Sequence, residues 1–96
     1  MKEPDELTGE DFASALPRSV RQRLMRGEIE SGHDVAALRR FVRMTQVDFA
    51  TALGISVSTL RNWEQGRRAP NGPGLALLRI AARHPNVIRE NLIAAA

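Results

Sequence analysis

The sequence predicts an all-α domain of five short helices preceded by an N-terminal extension. The 96 residues are 43% hydrophobic but only 4% aromatic, which fits a small helical bundle better than a β-rich domain. Apolar residues recur at helical spacing in separate segments. Residues that break or end helices, such as Gly54, Gly66 and Pro85, separate these segments.

The extension, residues 1–33, has the weakest helical pattern. Thr8 is a possible cap for a short turn that Pro17 would end, and residues 18–26 predict a short basic helix. Segments of this composition are often disordered when alone. Two interpretations stay open: a segment that folds onto a protein partner, and a passive or locally packed arm.

The helical domain, residues 34–96, begins with Asp34 as the predicted N-cap of the first helix. Leu38 starts an apolar stripe at i, i+3, i+4 spacing, and the helix is expected to end near Met44. Arg43 is expected to lie on this helix.

The second and third helices surround a tight turn at Gly54. The second starts near Thr45 and buries Phe49, and Gly54 supplies the positive φ that a sharp helix end requires. Ser56 is a good N-cap for the third helix, whose buried stripe includes Trp63. The pair forms a helix-turn-helix, a motif that places its second helix in the major groove of DNA.

A fourth helix is predicted over about 73–83 and a fifth over about 86–94. Pro85 stops the fourth helix and suits the first position of the fifth. The fifth helix is the candidate surface for a homodimer, and packing within the chain is the alternative. Its apolar face is formed by Val87, Ile88 and Leu92.

Charge is distributed unevenly along the chain. Residues 1–11 hold five carboxylates and one lysine, a net charge of −4, so the rest of this +3 chain carries +7. Every other basic residue is arginine, whose planar guanidinium suits phosphate and base edges. GC-rich coding would also favour arginine, but it does not explain the opposite signs of the two ends.

Enzymatic and membrane functions find no support in the sequence. It has no cysteine, its two histidines are far apart, and it has neither an HExxH motif nor a phosphate-binding loop. We therefore expect no catalysis, no metal and no cofactor. Neither a signal peptide nor a long apolar run is present, so we predict a cytoplasmic protein that does not enter the membrane.

The motif residues also resemble a known family. The stretch that carries the resemblance runs through Thr45-Gln46, Phe49-Ala50, Leu53-Gly54-Ile55-Ser56, Thr59-Leu60 and Trp63-Glu64-Gln65-Gly66-Arg67-Arg68-Ala69-Pro70. It resembles the phage-repressor-like (Xre/Cro) helix-turn-helix family. With Gly72-Pro73, Leu77-Leu78 and His84-Pro85, it resembles the HigA-type antitoxin branch, including NadS-like regulators, over about residues 34–93. The resemblance implies a five-helix phage-repressor-like helix-turn-helix domain.

Base contacts are expected from the N-terminal half of the third helix. Val57, Ser58 and Asn62 occupy the relevant positions. Asn62 can pair bidentately with adenine, Ser58 can hydrogen-bond several bases, and Val57 can touch a thymine methyl group. For Val57 and Ser58, packing at the helix start is the alternative.

Phosphate contacts are expected first at the N-terminus of the second helix, where free N–H groups favour anions. Thr45 can cap this helix and contact phosphate, and the resemblance implies that Gln46 is the phosphate clamp. Simple capping is the alternative for Gln46. Further phosphate contacts are predicted for Ser56, Arg61, Arg67 and Arg68.

Two motif residues are expected to be structural. Trp63 is predicted to be buried rather than to stack on single-stranded bases. Glu64 is unfavourable near phosphate unless a cation neutralises it. In the resembling family the matching acid pairs with an arginine of the first helix, which is Arg39 here, so we predict an Arg39–Glu64 ion pair.

The resemblance implies a homodimeric antitoxin of a type II toxin-antitoxin system. Such a protein would neutralise a RelE/HigB-like toxin and repress its own operon by binding double-stranded DNA at a palindromic operator. The alternative is a stand-alone Xre-family transcriptional repressor with no toxin partner, in which the acidic N-terminus only tunes solubility and dissociation from DNA.

Overall fold

The computed structural model describes residues 16–95. These residues form six helices and no strand, which confirms the all-α prediction. The turn predicted around Thr8 and the acidic residues 1–11 lie outside the described residues. In chain order the helices are α1 (Arg18–Met25), α2 (Gly32–Phe41), α3 (Gln46–Leu53), α4 (Val57–Glu64), α5 (Gly72–Arg83) and α6 (Pro85–Ala95).

One hydrophobic core joins all six helices. Phe49 of α3 and Leu60 of α4 are fully buried in it, and so is Leu24 of α1. α1 packs mainly against α5, while α3 packs mainly against α6. The described part of the N-terminal extension therefore contributes to the same core as the helix-turn-helix.

The bounds of α2 differ from the sequence prediction. The helix begins two residues before Asp34, and Ser31 occupies the N-cap position. At the other end the helix stops at Phe41, and Arg43 lies beyond it with a φ of +63°. The Met44 amide donates to the Arg39 carbonyl and the Arg43 amide to the Arg40 carbonyl, a pattern that closes a helix with a left-handed residue.

Asp34 links α2 to α1 instead of capping α2. Its carboxylate accepts two hydrogen bonds from the Arg23 guanidinium, at 2.9 and 3.2 Å, and a third from the Glu30 amide at 2.8 Å. The Arg23 hydrogen bond lowers the pKa of Asp34 below its ordinary value, although partial burial opposes this shift. The Arg23–Asp34 pair thus fastens α1 and its following loop to the first turn of α2.

The α3–α4 turn is built as the sequence predicts. Gly54 has a φ of +74°, and the Ile55 amide donates to the Ala50 carbonyl at 3.0 Å, so the end of α3 is closed by a Schellman arrangement. Thr45 and Ser56 are the N-caps of α3 and α4. These four local features fix where α4 begins relative to α3.

α5 and α6 are separated by a single residue, His84, and Pro85 is the first residue of α6. Side chains of α6 hold the ends of two earlier helices. Arg89 donates to the Val42 carbonyl at 3.2 Å, and Asn91 donates to the Ala52 carbonyl.

Among the described residues, no helix is both long and apolar enough to cross a membrane.

Candidate nucleic-acid interface

The buried and the exposed residues of α4 lie on different faces of the helix. Leu60 is fully buried and Trp63 is 8% exposed, so both side chains lie in the core. Ser58 and Arg61 are exposed on the opposite side, and Asn62 is half-buried between the two faces. Trp63 is therefore unavailable for stacking on bases.

The three predicted base-contacting residues have different environments. Val57 is half-buried and packs against the core, as the packing alternative anticipates. Ser58 is exposed. The side chain of Asn62 makes no hydrogen bond within residues 16–95, so its amide is available to a ligand.

Asn62 lies in a shallow groove of about 530 Å³ at the end of α4. The groove is lined by Thr59, Asn62, Trp63, Arg68, Ala69 and Asn71. The Asn62 carbonyl accepts hydrogen bonds from the Arg67 and Arg68 amides, at 3.0 and 3.3 Å. These bonds curl the chain after α4 back towards the helix and keep two arginines beside Asn62.

At the starts of α3 and α4, the hydroxyl groups of the predicted phosphate-contacting residues Thr45 and Ser56 accept capping hydrogen bonds. The Thr45 hydroxyl accepts from the Asp48 amide at 3.1 Å, and the Ser56 hydroxyl accepts from the Thr59 amide at 3.0 Å. Ser56 also donates to the Thr59 hydroxyl at 2.9 Å. Both residues are exposed, so each cap lies at a solvent-facing helix N-terminus.

Four side chains form a continuous polar network between α2, α3 and α4. Arg39 donates from Nε and Nη2 to the Glu64 carboxylate at 2.8 and 3.2 Å, which joins the two residues predicted to pair. Gln46 then donates from Nε2 to Glu64 and accepts at Oε1 from Arg61, both at 3.2 Å. The Glu64 side chain is only 7% exposed, so its charge is neutralised within the fold.

The network gives Gln46 more partners than the sequence indicates. Its amide spans Glu64 and Arg61, so the side chain is oriented from both ends. Arg61 is exposed and is linked to the N-terminus of α3 through this bond. With Arg67 and Arg68, which are also exposed, it forms a cationic surface along α4 and its following turn.

The predicted dimer residues lie away from this surface, on α6. Ile88 is 3% exposed and Leu92 packs partly against the core, so both contribute to the fold of the single chain. Ile88 therefore leaves little surface for a partner, in line with the alternative of packing within the chain. Val87 is 49% exposed and Ile93 is 77% exposed.

An apolar groove runs beside Val87. It has a volume of about 420 Å³ and is lined by Ala52, Leu77, Ile80, Val87, Ile88, Glu90, Asn91 and Ala94. Ile80 of α5 is 40% exposed at this groove. Ile80 and Ile93 could not be identified as surface residues from the sequence, because the mutual placement of α5 and α6 decides their exposure.

Metal binding receives no positive indication from the described part of the chain. Within residues 16–95, no three His, Asp or Glu side chains come together as a metal ligand set.

The Arg23–Asp34 pair was not predicted from the sequence, because nothing local relates a basic residue of α1 to an acid eleven positions later.

Comparisons with known proteins agree with this geometry. Residues 35–78 match a family model described as helix-turn-helix. The chain is also similar to Antitoxin HigA-2 of Vibrio cholerae serotype O1, with 40% identity over 63 residues. That match covers 65% of this chain and 61% of the relative. No solved structure gave a significant match. Residues 35–78, which span α2 to the middle of α5, are therefore similar to known helix-turn-helix domains.

Proposed function

We propose that this protein binds a palindromic operator as a homodimer and acts as the antitoxin and autorepressor of a toxin-antitoxin operon. The observation that carries the DNA-binding part is the exposed face of α4. At the edge of this face the half-buried, unbonded Asn62 amide shares a groove with Arg68, and Arg61 and Arg67 are exposed on the same helix and its following turn. The only acid on this helix, Glu64, is neutralised by Arg39. The helix-turn-helix match and the antitoxin relative point to a regulator rather than an enzyme.

In this proposal α4 enters the major groove and Asn62 contacts a base edge. Asn can form two hydrogen bonds with adenine, and a good bidentate contact discriminates against a wrong base by about 1–3 kcal/mol. Ser58 is exposed one turn earlier and supplies a second polar contact. Val57 contributes only the part of its side chain that the core leaves free.

Phosphates on either side of the groove are held by helix N-termini and arginines. The first turns of α3 and α4 present backbone N–H groups beside Thr45 and Ser56, and a helix N-terminus favours an anion. Gln46 is held by Glu64 and Arg61, so it supplies an oriented amide rather than a mobile one. Arg61 adds charge at the same edge.

The second copy is proposed to pack on the α5–α6 surface. Ile80, Val87 and Ile93 are the large apolar side chains that remain exposed on these two helices. An exposed apolar patch of this kind is typical of an interface. Two copies related by a two-fold axis would then place their α4 helices at half-sites about one helical turn apart.

The toxin partner is proposed from the relative and from charge. Antitoxin HigA-2 is an antitoxin by its name, and the acidic residues 1–11 offer a complementary segment for a basic, RelE/HigB-like toxin. A deletion that tests this segment must end before Leu16, because Leu24 of α1 is fully buried in the core. Removing residues 1–33 would damage the fold itself.

Copurification with the product of a neighbouring reading frame tests the proposal. The wild-type chain should capture a basic, RelE-like product, and a variant lacking residues 1–15 should lose it while still binding operator DNA. Footprinting on the promoter of the chain's own operon should reveal two protected half-sites. Operator binding without any captured toxin would favour the stand-alone repressor. Capture by the truncated variant would move the toxin surface to the helical domain.

A further inference from the structure

Two glycines that the sequence motif does not explain lie directly against α4. Gly32 is the first residue of α2, and Gly74 lies in the first turn of α5. Neither has a positive φ, so backbone conformation does not require glycine at either position. Alanine has the higher helix propensity, so conformational preference would favour it. Space against α4 is what excludes it.

At Gly32 the backbones of two helices meet. A Cβ atom there would overlap the carbonyl oxygen of Glu64 and lie 2.6 Å from that of Trp63. The glycine hydrogen that takes the place of this Cβ therefore points at the last carbonyls of α4, in the manner of a weak Cα–H···O contact. The positive N-terminal end of α2 also faces the negative C-terminal end of α4.

At Gly74 the contact is with a side chain of α4. A Cβ atom there would lie 2.7 Å from Cη2 and 2.8 Å from Cζ2 of Trp63. The indole ring is 8% exposed and packed in the core, so it has little room to move aside. The far edge of the ring therefore rests on the bare backbone of α5.

We propose that Gly32 and Gly74 are positioning residues that set how α4 is presented to DNA. They hold its C-terminal end from two sides: Gly32 through the α4 backbone, and Gly74 through the Trp63 ring. Asn62 immediately precedes Trp63, so a displacement at either contact moves the base-reading amide. Arg39 lies seven residues after Gly32 on α2, and its ion pair with Glu64 fastens the same end of α4.

This inference rests on the proposed reading of DNA by α4, and it predicts separate effects on specific and non-specific binding. Non-specific affinity comes mainly from phosphate contacts, whereas specificity requires base edges to be met in register. A displaced α4 should therefore lose operator preference before it loses general affinity for DNA. Gly74→Ala should lower the ratio of operator to scrambled-duplex affinity about tenfold, the typical effect of losing one good base contact.

The decisive experiment is a double-mutant cycle between Gly74→Ala and Trp63→Phe. The substitution at Trp63 removes the Cζ2 and Cη2 atoms that a Cβ at position 74 would meet. Gly74→Ala should therefore reduce operator preference in the wild-type background but change it less than about twofold in the Trp63→Phe background. An equal loss in both backgrounds would overturn the proposal.

Gly32→Ala is the second test variant. Its Cβ would meet the backbone of α4, so no side-chain substitution can relieve the contact. It should reduce operator preference at least as strongly as Gly74→Ala. Val20→Ala is the matched control, because it thins the packing of α1, which packs on α5 and α2, and should leave the preference unchanged. If Gly32→Ala does not fold, the Gly74–Trp63 cycle decides alone.

Amide chemical shifts of the free protein separate this proposal from the proposed function. Gly74→Ala should shift the amides of α4 from Ser58 to Asn62, with smaller shifts in α6. If the wild-type chain prefers no duplex, the proposed function fails, and these shifts still report whether Gly74 positions α4. Unshifted α4 amides in a folded Gly74→Ala variant would overturn the positioning role.

Discussion

Removing the Arg39 guanidinium should destabilise the protein far more than removing its neighbour on the same helix. Arg39→Ala deletes two hydrogen bonds to Glu64 and a third to the Met44 carbonyl at 3.1 Å. Among the described residues, the Glu64 carboxylate would keep only its bond from Gln46. A nearly buried carboxylate would then be left without a cation.

The expected loss is about 2–3 kcal/mol of unfolding free energy. Removing one member of a buried ion pair costs about 3–5 kcal/mol, since the remaining charge stays buried. The Arg39 side chain is 17% exposed, so water can reach the site and the loss should fall below that range. In a domain of this size 1 kcal/mol shifts Tm by about 4–8 °C, so Arg39→Ala should lower Tm by about 10–20 °C.

Thermal unfolding followed by circular dichroism at pH 7 measures this loss. Arg40→Ala is the matched control, because Arg40 is exposed on the same helix and surface substitutions usually change stability by less than about 0.5 kcal/mol. Arg39→Lys should recover only part of the loss, since an ammonium group cannot reproduce the two-pronged contact. Equal Tm values for Arg39→Ala and Arg40→Ala would refute the reasoning.

Three further predictions concern pH, assembly and salt. Because its folded pKa is lowered, Asp34 should contribute stability above its ordinary pKa of 3.8 that is lost as the pH falls through the folded value. Urea titrations at pH 7 and pH 3 should show that Asp34→Asn removes this part of the acid sensitivity. The control Glu28→Gln, in an exposed pair, should have little effect. Equal pH responses of wild type and Asp34→Asn would contradict the prediction. Val87→Glu should convert the dimer to a folded monomer in light scattering, while Val47→Glu on α3 leaves it dimeric; a dimeric Val87→Glu variant would remove α6 from the interface. Operator affinity of the dimer, with about 6–10 phosphate contacts, should fall about 10³–10⁵-fold between 50 and 200 mM salt, and a weak salt response would exclude a phosphate-dominated interface.

The helix-turn-helix was predictable because its signals are local. Thr45 and Ser56 cap helices that begin at the next residue, and Gly54 adopts the left-handed conformation that the turn requires. Each of these signals acts within four residues, so it can be read without knowledge of tertiary contacts. The pairing of Arg39 with Glu64 could be anticipated only through the family resemblance, since 25 residues separate them.

Features that depend on how helices meet were not predictable in the same way. Asp34 satisfies the sequence rule for a cap, but its carboxylate accepts hydrogen bonds from Arg23, and Ser31 occupies the N-cap position. Leu24 belongs to a segment whose pattern is weak in isolation, yet it is fully buried once α1 packs on α5. Ile88 looks like an interface residue from the helical pattern alone, and the packing of α6 buries it within the chain.

Base reading by α4 is tested most directly by the operator affinity of Asn62→Ala. Fluorescence anisotropy at fixed salt should compare the upstream region of the chain's own operon with a scrambled duplex of the same length. The wild-type chain should prefer the operator, and Asn62→Ala should weaken operator binding about 5- to 150-fold for each half-site, the equivalent of 1–3 kcal/mol, without changing affinity for the scrambled duplex. A wild-type chain that binds both duplexes equally, or an Asn62→Ala variant with undiminished operator affinity, would contradict the account.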